Sequence, residues 1–279
     1  MVKTLSQWED LAEKLSFSTH HIIGSERVMS EESMAAINPA NGEVLAQINK
    51  GGEIEIDRAV QAARQAFDYG PWPKMAPSER KKIMMNFAQK IRERRDELAL
   101  LVSLEMGKPI QDSWGIELSA LINTIEWYGE LADKIYDESP HVATDALALI
   151  TRQAIGVVGV VTPWNFPLTL TGWKIAPALA VGCALVIKPA ELSSLSLLRL
   201  GEIALEAGIP AGVINIVTGL GSQAGRALGL HPGVDALTFT GSTKTGREFM
   251  RYSADSNLKN IWLEFEENQQ ILFLLICQI

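Results

Sequence analysis

A chain of 279 residues, 47% of them hydrophobic, is long enough to bury one large core or two modest ones. Its 33 acidic and 25 basic side chains leave a formal charge of −8 at pH 7, and the bases are interleaved with acids, so no basic stripe marks nucleic acid as a partner. No apolar run reaches the roughly 20 residues of a bilayer span, and two distant cysteines without CxxC or His/Cys clusters exclude a disulfide framework or a zinc site. The expected setting is the cytoplasm, with no metal and no membrane.

The opening MVKTLSQWEDLAEKLSFS mixes acids and bases, which predicts an amphipathic helix rather than a signal peptide. Helical spacing continues in IDRAVQAARQAF after Glu55. It runs on through residues 77–107, where Pro77-Ser78 opens a helix and Gly107 stops it, and again in SALINTIEWYGELADKIYD. Residues 1–137 are therefore expected to be a helical part of the main domain. Residues 138–155 alternate in LALITRQ and predict a β arm projecting from the body, suited to oligomerisation.

From Gly156 the rhythm changes. GVVGVV, ALVIKP, GVINIV, ALTFTG and KNIWLE are short β-branched runs separated by helical segments, which predicts successive βαβ units over 156–264. The fold class is α/β, a Rossmann-like parallel sheet with flanking helices. Such sheets bind ligands beyond the carboxyl ends of their strands. Those ends read TPWNFP at 162–167, KPAE at 188–191, GLGSQAG at 219–225, FTGSTKTG at 239–246 and LE at 263–264.

Each segment taken alone has a plain structural alternative. Gly221 in GLGSQAG can serve only a tight turn. Gly241 and Ser242 open a helix directly after a strand, which aims backbone N–H groups and the positive end of the helix dipole at a phosphate. Asn165 can bridge a turn before Pro167, Lys188 and Glu191 can be surface charges at a helix start, and Glu264 can be a solvated acid. Cys183 reads as a small buried hydrophobe. His20 and His21 read as solvated loop neighbours, and with His141 and His231 they show no metal-ligand spacing.

Together, PWNFP, IKPAE, FTGST and WLE, in this order and spacing, resemble the aldehyde dehydrogenase superfamily. The resemblance covers 35–264 and begins at INPANGEVLAQI, which is similar to the family's early hairpin. IEWYGELADKIYDE and KNIWLE look most like members that oxidise ω-amino or γ-glutamylamino aldehydes. The resemblance implies NAD as cofactor, with NADP possible, a small aldehyde (an aminoaldehyde by subfamily look) as substrate, and a homo-oligomer. Catalytic roles fall on Asn165, whose amide would stabilise the oxyanion at a worth of about 3 kcal/mol, and on Glu264, which would activate water for thioester hydrolysis. Cofactor contacts fall on Thr162, Pro163, Trp164, Lys188, Glu191, Gly221, Gly241 and Ser242. Glu191 would accept from the ribose hydroxyls and repel a 2'-phosphate, whereas Lys188 leaves room for one. No early GxGxxG and no suitably placed YxxxK pair supports a short-chain or lactate-type dehydrogenase.

The family pattern breaks after Glu264. It continues with a glycine pair, a further strand and a GQxC segment bearing the nucleophile, whereas this chain reads FEENQQILFLLICQI. One permitted codon set for these residues, with a single G restored after the Phe265 codon, translates from Glu264 as EFGGKSANIVFADLPD, close to the family's own continuation. Residues 265–279 are accordingly expected to be an out-of-frame tail and the catalytic domain to be missing. On that reading Cys277 is an accident of frame, and a non-catalytic nucleotide-binding or interaction fragment is the alternative to an enzyme.

Overall fold

Five runs of branched residues form the centre of the protein, which a computed structural model describes over residues 3–265. Among the described residues the strands are β1 (His21–Ile23), β2 (Glu26–Val28), β3 (Ser33–Ile37), β4 (Val44–Asn49), β5 (Val157–Val161), β6 (Ala184–Lys188), β7 (Ile214–Ile216), β8 (Ala236–Gly241) and β9 (Asn260–Phe265). Seven of them build one sheet in the order β2-β1-β7-β6-β5-β8-β9, with β3 and β4 paired separately. The run from β7 to β9 is parallel. Every residue of β5 and β6 is buried, as expected where helices cover both faces.

Alternate residues of each strand feed opposite layers. Val158, Leu185 and Ile214 face one core with Phe87, Leu98, Leu121, Ile175 and Leu198. Val157, Val186 and Leu237 face the other with Ile56, Val60, Leu228 and Phe249. The first core is therefore built by the helices Pro77–Glu93, Arg95–Met106, Leu118–Leu131, Pro167–Val181 and Leu195–Glu206, and the second by Glu53–Asp68, Arg226–Leu230 and Thr243–Ala254.

Four expectations need correction. Residues 1–137 are not helical throughout, because β1 and β2 add to the sheet as antiparallel edge strands, with Ile22 opposite Ile216. His21 is consequently buried rather than solvated: its Nδ1 accepts from Thr218 N–H at 3.2 Å and its Nε2 lies 2.6 Å from Ser30 Oγ. Burial lowers its pKa to about 4, so the ring stays neutral. The single helix expected over 77–106 is broken at Arg94, whose φ of −102° and ψ of 17° lie outside the helical region.

The segment 138–155 makes one antiparallel bridge, Glu138 to Ile150, and no strand. A two-stranded ribbon with Leu147, Leu149 and Ile150 exposed has no layer to pack on, and such ribbons are marginal by themselves. Of the expected tail, Phe265 closes β9 opposite Gly241. The remaining tail residues, Cys277 included, lie outside the described residues.

Candidate functional site

β6, β5, β8 and β9 are neighbours in that order, and their carboxyl ends share one edge of the sheet. Val161 pairs with Lys188 on one side and Phe239 on the other, and Thr240 pairs with Glu264. The Thr162–Phe166 loop thus leaves the middle of the row, flanked by Lys188 to Glu191 and by Gly241, Ser242 and Glu264. Parallel pairing in this register is what brings these four expected segments together.

Within the central loop the roles divide. Thr162 and Pro163 are buried, and Thr162 Oγ1 accepts from Thr171 Oγ1 at 3.2 Å, which ties the strand end to the following helix. Trp164 is 50% exposed over the crevice. Asn165 Oδ1 accepts from Phe166 N–H at 3.0 Å, which turns its NH2 group away from its own backbone. Pro167 then starts the helix Pro167–Val181 at the position where a missing N–H costs least, and Gly182 ends it in the left-handed conformation.

That helix is held at both ends by buried charges that the sequence pattern did not mark. At its start, Glu117 Oε1 accepts from Leu168 N–H at 2.9 Å and Thr169 N–H at 3.5 Å. At its end, Arg80 Nε donates to Ala180 O at 3.1 Å. Each charge opposes the sign of the helix dipole it meets. Glu105 caps the helix Leu195–Glu206 in the same way, accepting from Leu195 N–H at 2.6 Å and Ser196 N–H at 3.2 Å. Burial pushes the Glu105 carboxyl up to about 7, against the pull of those hydrogen bonds.

Lys188 is buried with its Nζ 3.1 Å from Glu191 Oε2, while the Glu191 side chain stays 42% exposed. Burial lowers the Lys188 pKa and the Glu191 charge raises it, with burial prevailing. For Glu191, burial works upward, but the Lys188 charge and hydrogen bonds from Lys188 and its own backbone outweigh it, and the carboxyl lies below its usual range. The pair offers a desolvated cation behind a carboxylate that hydroxyl groups can reach.

Gly241 and Ser242 form the third wall. A Cβ on Gly241 would lie 2.7 Å from Phe239 Cζ, so the tight turn requires glycine. Ser242 caps the helix Thr243–Ala254, its Oγ accepting from Thr245 N–H at 3.3 Å. Glu264 Oε2 accepts from Thr240 Oγ1 at 2.8 Å and from Lys174 Nζ at 3.3 Å. Burial lowers the Lys174 pKa and the Glu264 charge partly restores it. Lys174, Glu117, Lys108 and Glu105 are the site-forming residues that sequence reasoning missed. All four act through tertiary partners and have no local motif.

Gly221 follows β7, the parallel neighbour of β6, at the same carboxyl edge of the sheet. It opens a π-turn, Gly221–Gly225, after β7, and the next residues Ser222 and Gln223 line a cavity of about 900 Å³ with Glu53 and Glu55 from the opposite helix. Cys183 is 2% exposed, with its thiol pKa raised chiefly by burial, as befits a packed hydrophobe. Among the described residues there is no His/Cys/Asp/Glu group able to hold a metal and no helix long and apolar enough to cross a membrane.

Comparison with known proteins matches residues 27–274 to the aldehyde dehydrogenase family. The chain is 50% identical over 232 residues to an aminoacetaldehyde dehydrogenase of Pseudomonas aeruginosa, covering 83% of this chain and 47% of that protein. It is 41% identical over 262 residues to the NADP/NAD-dependent aldehyde dehydrogenase PuuC of Escherichia coli, covering 93% and 53%. Among solved structures, an indole-3-acetaldehyde dehydrogenase of P. syringae in complex with NAD+ and IAA superposes with a TM-score of 0.93 at 42% identity, over 95% of this chain and 54% of that one. The chain spans about half the length of the curated relatives it matches. With the sheet order, the four converging segments and a match over most of its residues in agreement, the chain belongs to the aldehyde dehydrogenase family.

Proposed function

We propose that this chain forms the nucleotide-binding and oxyanion-stabilising part of an NAD(P)-dependent enzyme that oxidises aldehydes, with aminoaldehydes as the substrate class. The observation that carries the proposal is the meeting of the Asn165 loop, the Lys188–Glu191 pair, Ser242 and Glu264 at one edge of four adjacent parallel strands. The relatives named for aminoacetaldehyde and for NADP/NAD support the substrate class and the cofactor.

The residues present fit a dinucleotide. The crowded Gly241 turn leaves no room for a side chain, Ser242 starts a helix whose N–H groups favour a phosphate, and the exposed face of Glu191 suits ribose hydroxyls. Thr162, Pro163 and Trp164 would wall the crevice between them. Gly221, in the turn after β7 beside Lys188–Glu191, would border the same nucleotide. When bound, NAD(P)+ supplies the hydride acceptor. The Asn165 amide, fixed by Phe166 N–H, donates to the substrate oxygen as negative charge develops there. Glu264, held by Lys174 and Thr240, is the carboxylate placed to take a proton from water once it swings away from them.

Among the described residues the one thiol, Cys183, is packed inside and offers no accessible nucleophile. The 279-residue chain should therefore bind NAD(P)+ without turning over. Equilibrium dialysis against NAD+ and NADP+ tests the first half, and lack of binding at millimolar nucleotide defeats the assignment. Steady appearance of NADH absorbance with an aminoaldehyde would refute the second half. Replacing Glu191 by Gln should shift preference toward NADP+ by about ten-fold, the equivalent of 1.4 kcal/mol. A second reading, a nucleotide-binding module that docks on another subunit, is favoured by exposed Leu147, Leu149 and Ile150 in 138–155. Light scattering with and without NAD+ distinguishes a defined assembly from an aggregate.

A further inference from the structure

The Trp164-Asn165-Phe166 loop carries two exposed aromatic side chains and one half-buried amide, and the Trp164 indole makes no hydrogen bond that would restrain it among the described residues. What meets it from behind is Lys108. Its ammonium lies 3.5 Å from the centroid of the Phe166 ring and makes a buried ion pair with Glu117. Glu117 in turn accepts from Leu168 and Thr169 N–H, the first free donors of the helix that begins where the loop ends. Thr169 Oγ1 donates to Glu117 O at 3.3 Å, so backbone and side chain of one residue both hold that first turn.

The local chain is bent to make this possible. Ser113–Glu117 is a π-turn with Glu117 as its last residue, and π-turns are rare features that persist mostly where a position needs them. The turn leaves Ser113 Oγ buried without a partner, a cost that a regular helix could avoid by turning the hydroxyl to solvent. Gly107, at φ +77°, reverses the chain so that Lys108 points back under the loop, and Ser103 Oγ donates to Lys108 O at 2.7 Å to fix that reversal. Both members of the pair therefore come from irregular backbone aimed at the same place.

We propose that Lys108 and Glu117 are positioning residues that set the Trp164–Phe166 loop, and through it the Asn165 amide, by clamping the Phe166 ring and the first turn of the helix Pro167–Val181 together. The role given to Asn165 rests on the function proposed above, but the clamp itself does not. An oxyanion donor is effective only if its direction is fixed before charge develops. A cation held against an aromatic face by a buried carboxylate supplies that fixity without entering the crevice.

The test uses the full chain labelled with 5-fluorotryptophan, which gives seven 19F resonances, the Trp164 signal being assigned by Trp164→Phe. Without nucleotide, Lys108→Met should lower the transverse relaxation rate of the Trp164 resonance about two-fold, as faster local motion requires, while Trp8, Trp72, Trp127 and Trp262 keep theirs. Lys108→Arg, which retains a cation that can stack on the ring, should restore it. Phe166→Leu leaves the buried pair in place and carries the test alone if Lys108→Met fails to fold; it too should free Trp164. An unchanged Trp164 rate in Phe166→Leu, or a change shared equally by all seven resonances, overturns the clamp. Because no nucleotide is present, failure of NAD(P)+ binding would sink the proposed function and leave this result standing.

Discussion

Three of the helices that begin at the carboxyl edge of the sheet are finished in two different ways. Pro167–Val181 and Leu195–Glu206 are closed by buried glutamates that reach in from the N-terminal helices, Glu117 and Glu105. Thr243–Ala254 is closed by its own Ser242, which is exposed. A helix start filled by an internal carboxylate cannot accept an external anion, because its donors are taken and the added charge is repelled. The contrast assigns two helix starts to architecture and leaves the third to a ligand. It also explains why two ionisable residues sit in a core that would otherwise exclude them.

The sharpest way to break this comparison is to discharge an internal cap. Glu117→Gln leaves the Lys108 ammonium buried without its counter-charge and should cost about 3–5 kcal/mol of stability by urea unfolding, whereas the double change to Lys108→Met with Glu117→Leu should recover most of the loss. Equal stability of the single and double variants would show that the pair is not coupled.

The second cap is sensitive to pH. Glu105 has its folded pKa raised from 4.5 to about 7, so the native state holds a proton that the unfolded chain releases. Its contribution is full below 4.5 and is lost as pH rises to 7, by at most about 3 kcal/mol. His21 runs the other way. With a folded pKa of about 4 against 6.5, its contribution is present above 6.5 and lost as pH falls toward 4. Urea midpoints measured from pH 4.5 to 7.5 should therefore rise with pH more steeply in Glu105→Gln than in the parent chain. A parallel pair of profiles would remove Glu105 from the account.

The smallest effect belongs to the open helix start. Ser242→Ala removes one cap hydrogen bond and should cost about 1 kcal/mol. Unlike either glutamate variant at matched stability, it should also weaken NAD(P)+ binding, read by dialysis. Nucleotide affinity unaffected by Ser242→Ala would erase the distinction between the two kinds of helix start.

The five central strands could be read from the chain because their burial is continuous and their composition β-branched, as in VVGVV and ALVIK. The strand-end segments were legible for a related reason: parallel pairing puts every strand's carboxyl end on one side, so adjacent motifs must converge. Glu105 and Glu117 were not legible, since a cap delivered from ninety or fifty residues away leaves no local spacing. Nor was β1. Three residues, His-Ile-Ile, carry too little pattern to announce a strand, and the histidine suggests water until Thr218 and Ser30 are seen around it. In segment 138–155 the alternation gives a single β-bridge, Glu138 to Ile150, with the Arg152–Glu138 ion pair beside it, and no longer ladder. Arg94 interrupts a helix that propensity alone would continue, which is a reminder that tertiary packing overrides weak local preference.

The pairing of Ile22 with Ile216 carries a consequence for synthesis on the ribosome. β1 waits for its second neighbour, β7, made nearly two hundred residues later, which at about 5–20 residues per second is roughly 10–40 s of translation. During that interval β1 is paired with β2 alone, and its other edge stays open. Nascent chains stalled just before Ile214 should accordingly engage a chaperone through their first thirty residues, and release it when β7 clears the exit tunnel.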